Sequence, residues 1–282
     1  MSTKEVSLEQ FSLIKYIKRD HQGKKLLIED KETKEQYFAN SCYDEDSENE
    51  LRHELHILEK YCHSTFTNLI GYSEIDFIGR ECFTLIYEYA VNDSLQSLLD
   101  KGTLDNTQRQ IILVGICRGM MLLHANRTII RSLKPKNILI DENFHPRISN
   151  FTYAEQIEDG KEIFYGIGSI YYMAPEIYCG GEVDISSDVF SFAILMFQVV
   201  TNSVKPYIYI SERSIFDLGV RPVFNVPVKI PIKSLIERCW SGDPDERPTF
   251  EELFHKLAFE SEFFLDDVNT EKLLSYVNSI IK

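Results

Sequence analysis

The sequence predicts an α+β fold in two lobes, with a small strand-rich N-lobe and a larger, mostly helical C-lobe. Three observations carry this. Short β-like runs fall almost entirely within the first third of the chain. Two stretches in the remainder, Ile111 to Leu123 and Val189 to Val200, are apolar around most of a helical circumference, as buried helices are. Between these halves the polar Val91-Asn92-Asp93-Ser94 sets a lobe boundary near residues 88–93.

In chain order, residues 25–29 (KLLIE) and 35–39 (EQYFA) read as strands joined by the polar DKETK, a hairpin. A helix follows, with Ser47 and Glu50 at capping-box spacing and Leu51, Leu55 and Leu58 on one face beside Glu54. Phe83 to Tyr89 is a strand, and Leu95, Leu98 and Leu99 begin the next helical period. Residues 137–140 and 147–149 flank the turn-like Asp141-Glu142-Asn143 as a second hairpin. Pro248, Thr249 and Glu252 supply a helix start for a segment running to Leu257. A main domain over 1–262 (N-lobe about 7–88, C-lobe about 89–262) and a helical tail over 263–282 are expected.

With 282 residues the chain is long enough to bury a sizeable core. Its 44 acidic against 30 basic residues give a net charge of −14, which argues against a nucleic-acid or anionic-membrane surface. Cys42, Cys62, Cys82, Cys117, Cys179 and Cys239 form no C-x-x-C pair, so neither a zinc site nor a disulfide framework is signalled. The N-terminus lacks the apolar core of a secretory signal, and no later run reaches the ~18 apolar residues of a membrane span. A cytoplasmic protein without membrane insertion is expected.

The residues that bear on chemistry lie in Ile130-Arg131-Ser132-Leu133-Lys134-Pro135-Lys136-Asn137, in Ile148-Ser149-Asn150-Phe151-Thr152, in Tyr37-Phe38-Ala39-Asn40, and in the boxes Met173-Ala174-Pro175-Glu176, Ser187-Asp188-Val189-Phe190, and Cys239-Trp240 with Asp243-Pro244 and Arg247-Pro248. From about residue 11 to 257 this order resembles a protein kinase of the tyrosine-kinase-like group, which implies a bilobal protein-kinase-like fold. The first segment resembles the catalytic loop H-R-D-L-x-x-x-N, with Ser132 in the place of the Asp that accepts the substrate proton. A serine hydroxyl carries no charge at neutral pH and cannot do that work.

The resemblance assigns the other positions in turn. Asn137 matches the metal-binding Asn, and Lys134 the lysine typical of serine/threonine kinases. Asn150 replaces the D-F-G aspartate, and an amide oxygen brings a metal ion no negative charge. Asn40 replaces the lysine of V-A-I-K that pairs with the phosphates and with the helix glutamate, here Glu54. The glycine-rich loop keeps only Gly23, and Asp20 points a carboxylate where phosphates would lie.

In the base pocket Phe38 takes the alanine place and Lys25 the valine place, with Leu139 as floor and Tyr87 and Glu88 alongside, so a pocket closed by its own side chains is expected. Glu176 with Arg247 is expected as a buried pair, and Asp188 as the anchor beneath the catalytic loop. Leu58, Phe151 and Ile130 are expected to stack between the lobes. Tyr165, Ser169, Tyr171 and Tyr172 fall in the activation segment, where Ser169 is expected to pack.

Two functional readings follow from the resemblance, and a third is a duplicated copy with no specific task. The leading one is a pseudokinase that binds protein partners as a scaffold or allosteric element, with no cofactor. The alternative is an atypical or very slow serine/threonine-type kinase that uses ATP and magnesium, with Lys24 or Lys25 as a displaced lysine and Asn137 and Asn150 on the metal.

Overall fold

The computed structural model describes residues 3–157, 169–181, 183–207, 210–216 and 218–281. Tyr165 lies outside them. Among the described residues, the small lobe contains β1 (Phe11–Asp20), β2 (Gly23–Asp30), β3 (Gln36–Ser41), α1 (Glu45–Lys60), β4 (Leu69–Ile75) and β5 (Glu81–Glu88). The strands form one antiparallel sheet in the order β1-β2-β3-β5-β4. This bears out the hairpin of β2 and β3 and the strand at Phe83. The strands β1 and β4 lack the clean alternation that marks a half-buried strand: β1 has two register irregularities, and β4 carries Gly71.

The helix α1 starts three residues earlier than Ser47 and Glu50 suggest. Asp44 is the N-cap and accepts the Ser47 N–H at 2.9 Å, while the Ser47 hydroxyl accepts the Asp44 N–H at 3.1 Å. Ser47 therefore closes the capping box from its third position rather than opening the helix. Leu51 and Leu58 are buried, as is Glu54, and Leu55 is half-buried.

The large lobe follows with α2 (Leu95–Lys101), α3 (Asn106–His124), β6 (Thr128–Ile129), β7 (Ile138–Ile140), β8 (Pro146–Ile148), β9 (Glu155–Gln156), α4 (Pro175–Tyr178), α5 (Ser186–Thr201), α6 (Glu212–Phe216), α7 (Ile230–Cys239), α8 (Phe250–Phe259) and α9 (Thr270–Ile280). The helices α3 and α5 are buried over most of their length, as their all-round apolarity requires. The hairpin β7–β8 carries the segment after Asn137 back beneath the small lobe, where Phe66 and Ile148 form a bridge between the lobes.

Residues 263–282 were expected as a helical tail. They do contain α9, but it packs on α3 and α8 as part of the large-lobe core. Leu273, Tyr276, Val277 and Ile280 recur at helical spacing and are buried, and Gly115 gives the Tyr276 hydroxyl room on α3, where a Cβ would sit 2.1 Å from it.

Candidate functional site

The sheet has two faces, and register decides which residues meet the cleft. Lys25, Asn40 and Leu85 stand side by side on β2, β3 and β5, and Leu27, Phe38 and Tyr87 form the next row on the same face. Phe38 and Tyr87 have ring centroids 6.1 Å apart. Asn40 is buried, and its Oδ1 has no hydrogen-bond partner among the described residues. Gly23, the retained loop glycine, has φ +133°, and a Cβ there would meet Asn40 Oδ1 and the Ser41 carbonyl at 2.5 Å. Close approach of β2 to β3 thus accounts for this glycine without any phosphate.

Glu54 of α1 points into the centre of the molecule. Its Oε1 accepts the Phe151 N–H and its Oε2 the Thr152 hydroxyl, both at 3.3 Å, and the Tyr87 hydroxyl lies within hydrogen-bond reach. Burial pushes the Glu54 carboxyl above the usual carboxylate range, while the Lys25 charge and these donors oppose the rise. Burial likewise lowers Lys25, against the attraction of Asp20 and Glu54. The Lys25 ammonium sits 3.5 Å from Asp20 Oδ1, and Lys18 is 3.1 Å from the other oxygen. Asp20 is thus turned onto its own cations. Tyr87 is raised well above its ordinary range by burial and by the Glu54 charge.

Across the cleft the turn between β1 and β2 closes on the large lobe. Gln22 Nε2 donates to Asn150 Oδ1 at 2.8 Å and to the Thr152 hydroxyl at 3.2 Å. Asn150 has φ +63°, a left-handed conformation that asparagine tolerates better than most residues. Its carbonyl accepts the Ser132 hydroxyl at 2.8 Å, and the Ser132 carbonyl accepts Asn137 Nδ2 at 2.7 Å. Lys134 Nζ donates to Ser169 Oγ at 2.5 Å. The concavity bounded by Ser132, Lys134, Ser169 and Tyr172 measures about 20 Å³, room for about one water molecule.

The profile of the protein tyrosine and serine/threonine kinase family matches residues 17–257, from within β1 to within α8. The chain belongs to the protein kinase family. It is similar to the probable serine/threonine-protein kinase drkC of Dictyostelium discoideum, with 30% identity over 225 residues, 76% of this chain and 29% of that protein. It is also similar to cysteine-rich receptor-like protein kinase 24 of Arabidopsis thaliana (30% over 241 residues, 75% and 37% of the two chains) and to serine/threonine-protein kinase STY46 of the same plant (28% over 220 residues, 76% and 37%). The kinase-like chain therefore spans well under half the length of these relatives.

Within this kinase domain the catalytic-loop segment hangs from Asp188, whose carboxylate accepts the N–H groups of Ile130 and Arg131 at 2.9 and 3.0 Å. Leu58, Ile130 and Phe151 belong to one buried cluster that joins the lobes, with Phe66 edge-on to Phe151 at 5.5 Å. Arg131 pairs with Glu155 on β9. Arg247 grips Glu176 with two nitrogens at 2.6 and 2.8 Å, its own side chain fully buried. Leu139 on β7 is half-buried, and Glu88 at the end of β5 is exposed, away from the Glu54 cluster.

Gln22 enters the site without a functional signature in the sequence, whereas Thr152 belongs to the segment in the place of D-F-G. The sole signal for Gln22 is its place at the tip of the turn, next to Gly23. Among the described residues no three metal-ligating acid, histidine or cysteine side chains converge, and no helix is long and apolar enough to cross a membrane.

Proposed function

We propose that this kinase-family chain is a pseudokinase of the tyrosine-kinase-like group, working through protein partners as a signalling scaffold or allosteric element. The observation that carries this reading is the bridge from Gln22 to Asn150 and Thr152, which ties the turn beside the retained loop glycine to the residues in the place of D-F-G. The residues do not fit a magnesium-bound triphosphate. Asn150 Oδ1 is taken by Gln22, and Asn40, in the place of the phosphate-pairing lysine, offers an unpaired oxygen. Phe38 and Tyr87 fill the adenine side. We assign no phosphoryl transfer, no cofactor and no nucleic-acid partner, and place the protein in the cytoplasm.

One observation favours the second reading, an atypical and very slow ATP-dependent serine/threonine-type kinase. Lys25 is a buried ammonium beside Asn40 and within electrostatic reach of Glu54, and it holds the charge that Asn40 lacks. The names of the similar proteins point the same way. Against it stands Ser132, whose hydroxyl is spent on Asn150 and cannot accept a proton as a carboxylate would.

Thermal melting with millimolar Mg-ATP separates the two. A ligand at about one hundred times its dissociation constant stabilises by ~2.7 kcal/mol, an easily seen shift. No shift is expected. A clear shift that disappears in Lys25→Met overturns the pseudokinase reading and leaves the slow kinase.

A further inference from the structure

We propose that the outer face of the small-lobe sheet is a docking groove for a partner-protein segment carrying apolar anchor residues flanked by lysine or arginine. The groove runs between the N-terminal segment with β1 on one side and the turn joining β4 to β5 on the other, and it encloses about 770 Å³. Val6, Leu8 and Phe11 line it and belong to a second apolar cluster, built on Leu26, Ile28, Ala39 and Ile86. That cluster lies on the sheet face opposite Phe38 and Asn40. The groove is therefore separate from the cleft, and the proposal holds whether or not the cleft takes nucleotide.

Three apolar residues at this groove face solvent: Leu13 is 53% exposed, Ile75 43% and Ile78 66%. Single exposed apolar side chains are ordinary, but three around a concavity floored by apolar residues make a contiguous patch of the kind that marks a binding surface. The shape suits a segment with side chains to insert.

Charge selects the segment. The lining carries four carboxylates, Glu5, Glu9, Glu74 and Asp76, against one ammonium, Lys31. Three of these groups are engaged within the chain. Glu74 pairs with Arg52 at 2.5 Å, Asp76 accepts the N–H groups of Ile78 and Arg80, and Lys31 donates to the Glu9 carbonyl at 2.6 Å. Glu5 and Glu9 are exposed, and neither carboxylate is in an ion pair among the described residues. A cationic flank on the partner satisfies them. An anionic lipid surface is repelled by the same carboxylates, and so is a second copy of this chain, whose net charge is −14.

The test pans random peptides displayed on phage against the full chain, with counter-selection on a Leu13→Asp, Ile78→Asp variant whose melting is checked first. The expected peptides carry apolar residues flanked by lysine or arginine and lose at least about tenfold in affinity on that variant. As an independent arm, Glu5→Lys with Glu9→Lys should weaken the same peptides, and exchanging their cations for glutamate should restore binding to this charge-reversed chain. Peptides that bind wild type and both variants alike, variant-sensitive peptides that are acidic, or no enrichment at all overturn the proposal. None of these outcomes touches the Mg-ATP melting result, so the groove and the pseudokinase reading stand or fall separately.

Discussion

The side-chain amide of Gln22 donates to Asn150 across 2.8 Å, joining residues 128 apart and tying the tip of the β1–β2 turn to the segment that follows β8. Through the Thr152 hydroxyl the same amide reaches Glu54, so turn, helix α1 and large lobe share one hydrogen-bonded network. Gln22→Ala should therefore destabilise the protein by ~1–2 kcal/mol, the usual worth of one or two partly buried hydrogen bonds. Urea titration measures it. The variant should still show no Mg-ATP melting shift, because Phe38, Tyr87 and the oxygen of Asn40 stay where they are.

Restoring the charges alone should not restore binding. In Asn40→Lys, Ser132→Asp, Asn150→Asp the Phe38 ring remains in the row facing the cleft, its centroid 6.1 Å from that of Tyr87, and the expected kinase activity on a generic substrate is nil. Adding Phe38→Ala to these three should produce a nucleotide-dependent melting shift. Activity in the triple variant with Phe38 intact would falsify the blocked-pocket argument.

Much of the cleft is legible in the sequence because it is a matter of residue identity within a known frame. Phe38, Asn40, Ser132 and Asn150 can be named by counting from their motifs, and Glu54 by its place in a leucine stripe. The Gln22 bridge is not legible, since a glutamine in a turn carries no period, and its partners lie in the other lobe. The two strands missed in the small-lobe sheet, β1 and β4, fail for a related reason. In β1 the register slips between Leu13 and Lys15 and again between Tyr16 and Lys18, which breaks the alternation that marks a strand. In β4, Gly71 interrupts the pattern because the chain near Lys4 runs against it, where a Cβ would meet the Lys4 carbonyl at 2.7 Å. The acidic run after Cys42 supplies the N-cap Asp44 and the first-turn acids Glu45, Asp46 and Glu48, where negative charge favours a helix start.

Glu54 makes stability depend on pH in a definite direction. Burial raises its carboxyl above the unfolded value of about 4.3, so the folded state holds the proton more tightly. That contribution is fully present below the unfolded value and is lost as pH rises through the raised folded one. Glu54→Gln removes the titration while keeping an oxygen for the Phe151 N–H. Wild-type stability minus that of the variant should therefore fall as pH rises above the unfolded value and level off once pH has passed the raised folded one. Denaturant titrations across that range check it, and a difference that rises with pH would show that the Lys25 charge outweighs burial.

The last helix should be indispensable to the large lobe. A chain ending at Val268 loses Leu273, Tyr276, Val277 and Ile280, all buried, and strips Arg118 and His63 of the Ile280 carbonyl they share. At about 1.5–3 kcal/mol for each fully buried side chain, the loss is comparable with the whole stability of a domain. Loss of a cooperative melting transition is expected. A truncated chain that melts within a few degrees of the full one would show α9 to be an appendage.

Two single substitutions test whether the kinase-like core is assembled without nucleotide or phosphorylation. Phe151 is fully buried between the lobes, edge-on to Phe66, so Phe151→Ala should cost ~3–5 kcal/mol. Arg247→Ala leaves Glu176 without its two donors and frees the carbonyls of Ser186 and Ser241, and a cost of ~3–5 kcal/mol is expected for breaking a buried pair from one side. The two sites share no partner, one lying between the lobes and the other at the foot of α5, so their effects should add in the double variant. Both losses should appear by denaturant titration of the unmodified, ligand-free protein. If Phe151→Ala changes stability by less than about 1 kcal/mol, far below the usual range for a buried aromatic, the lobes are not held together in the empty state and a scaffold that works without nucleotide loses its physical basis.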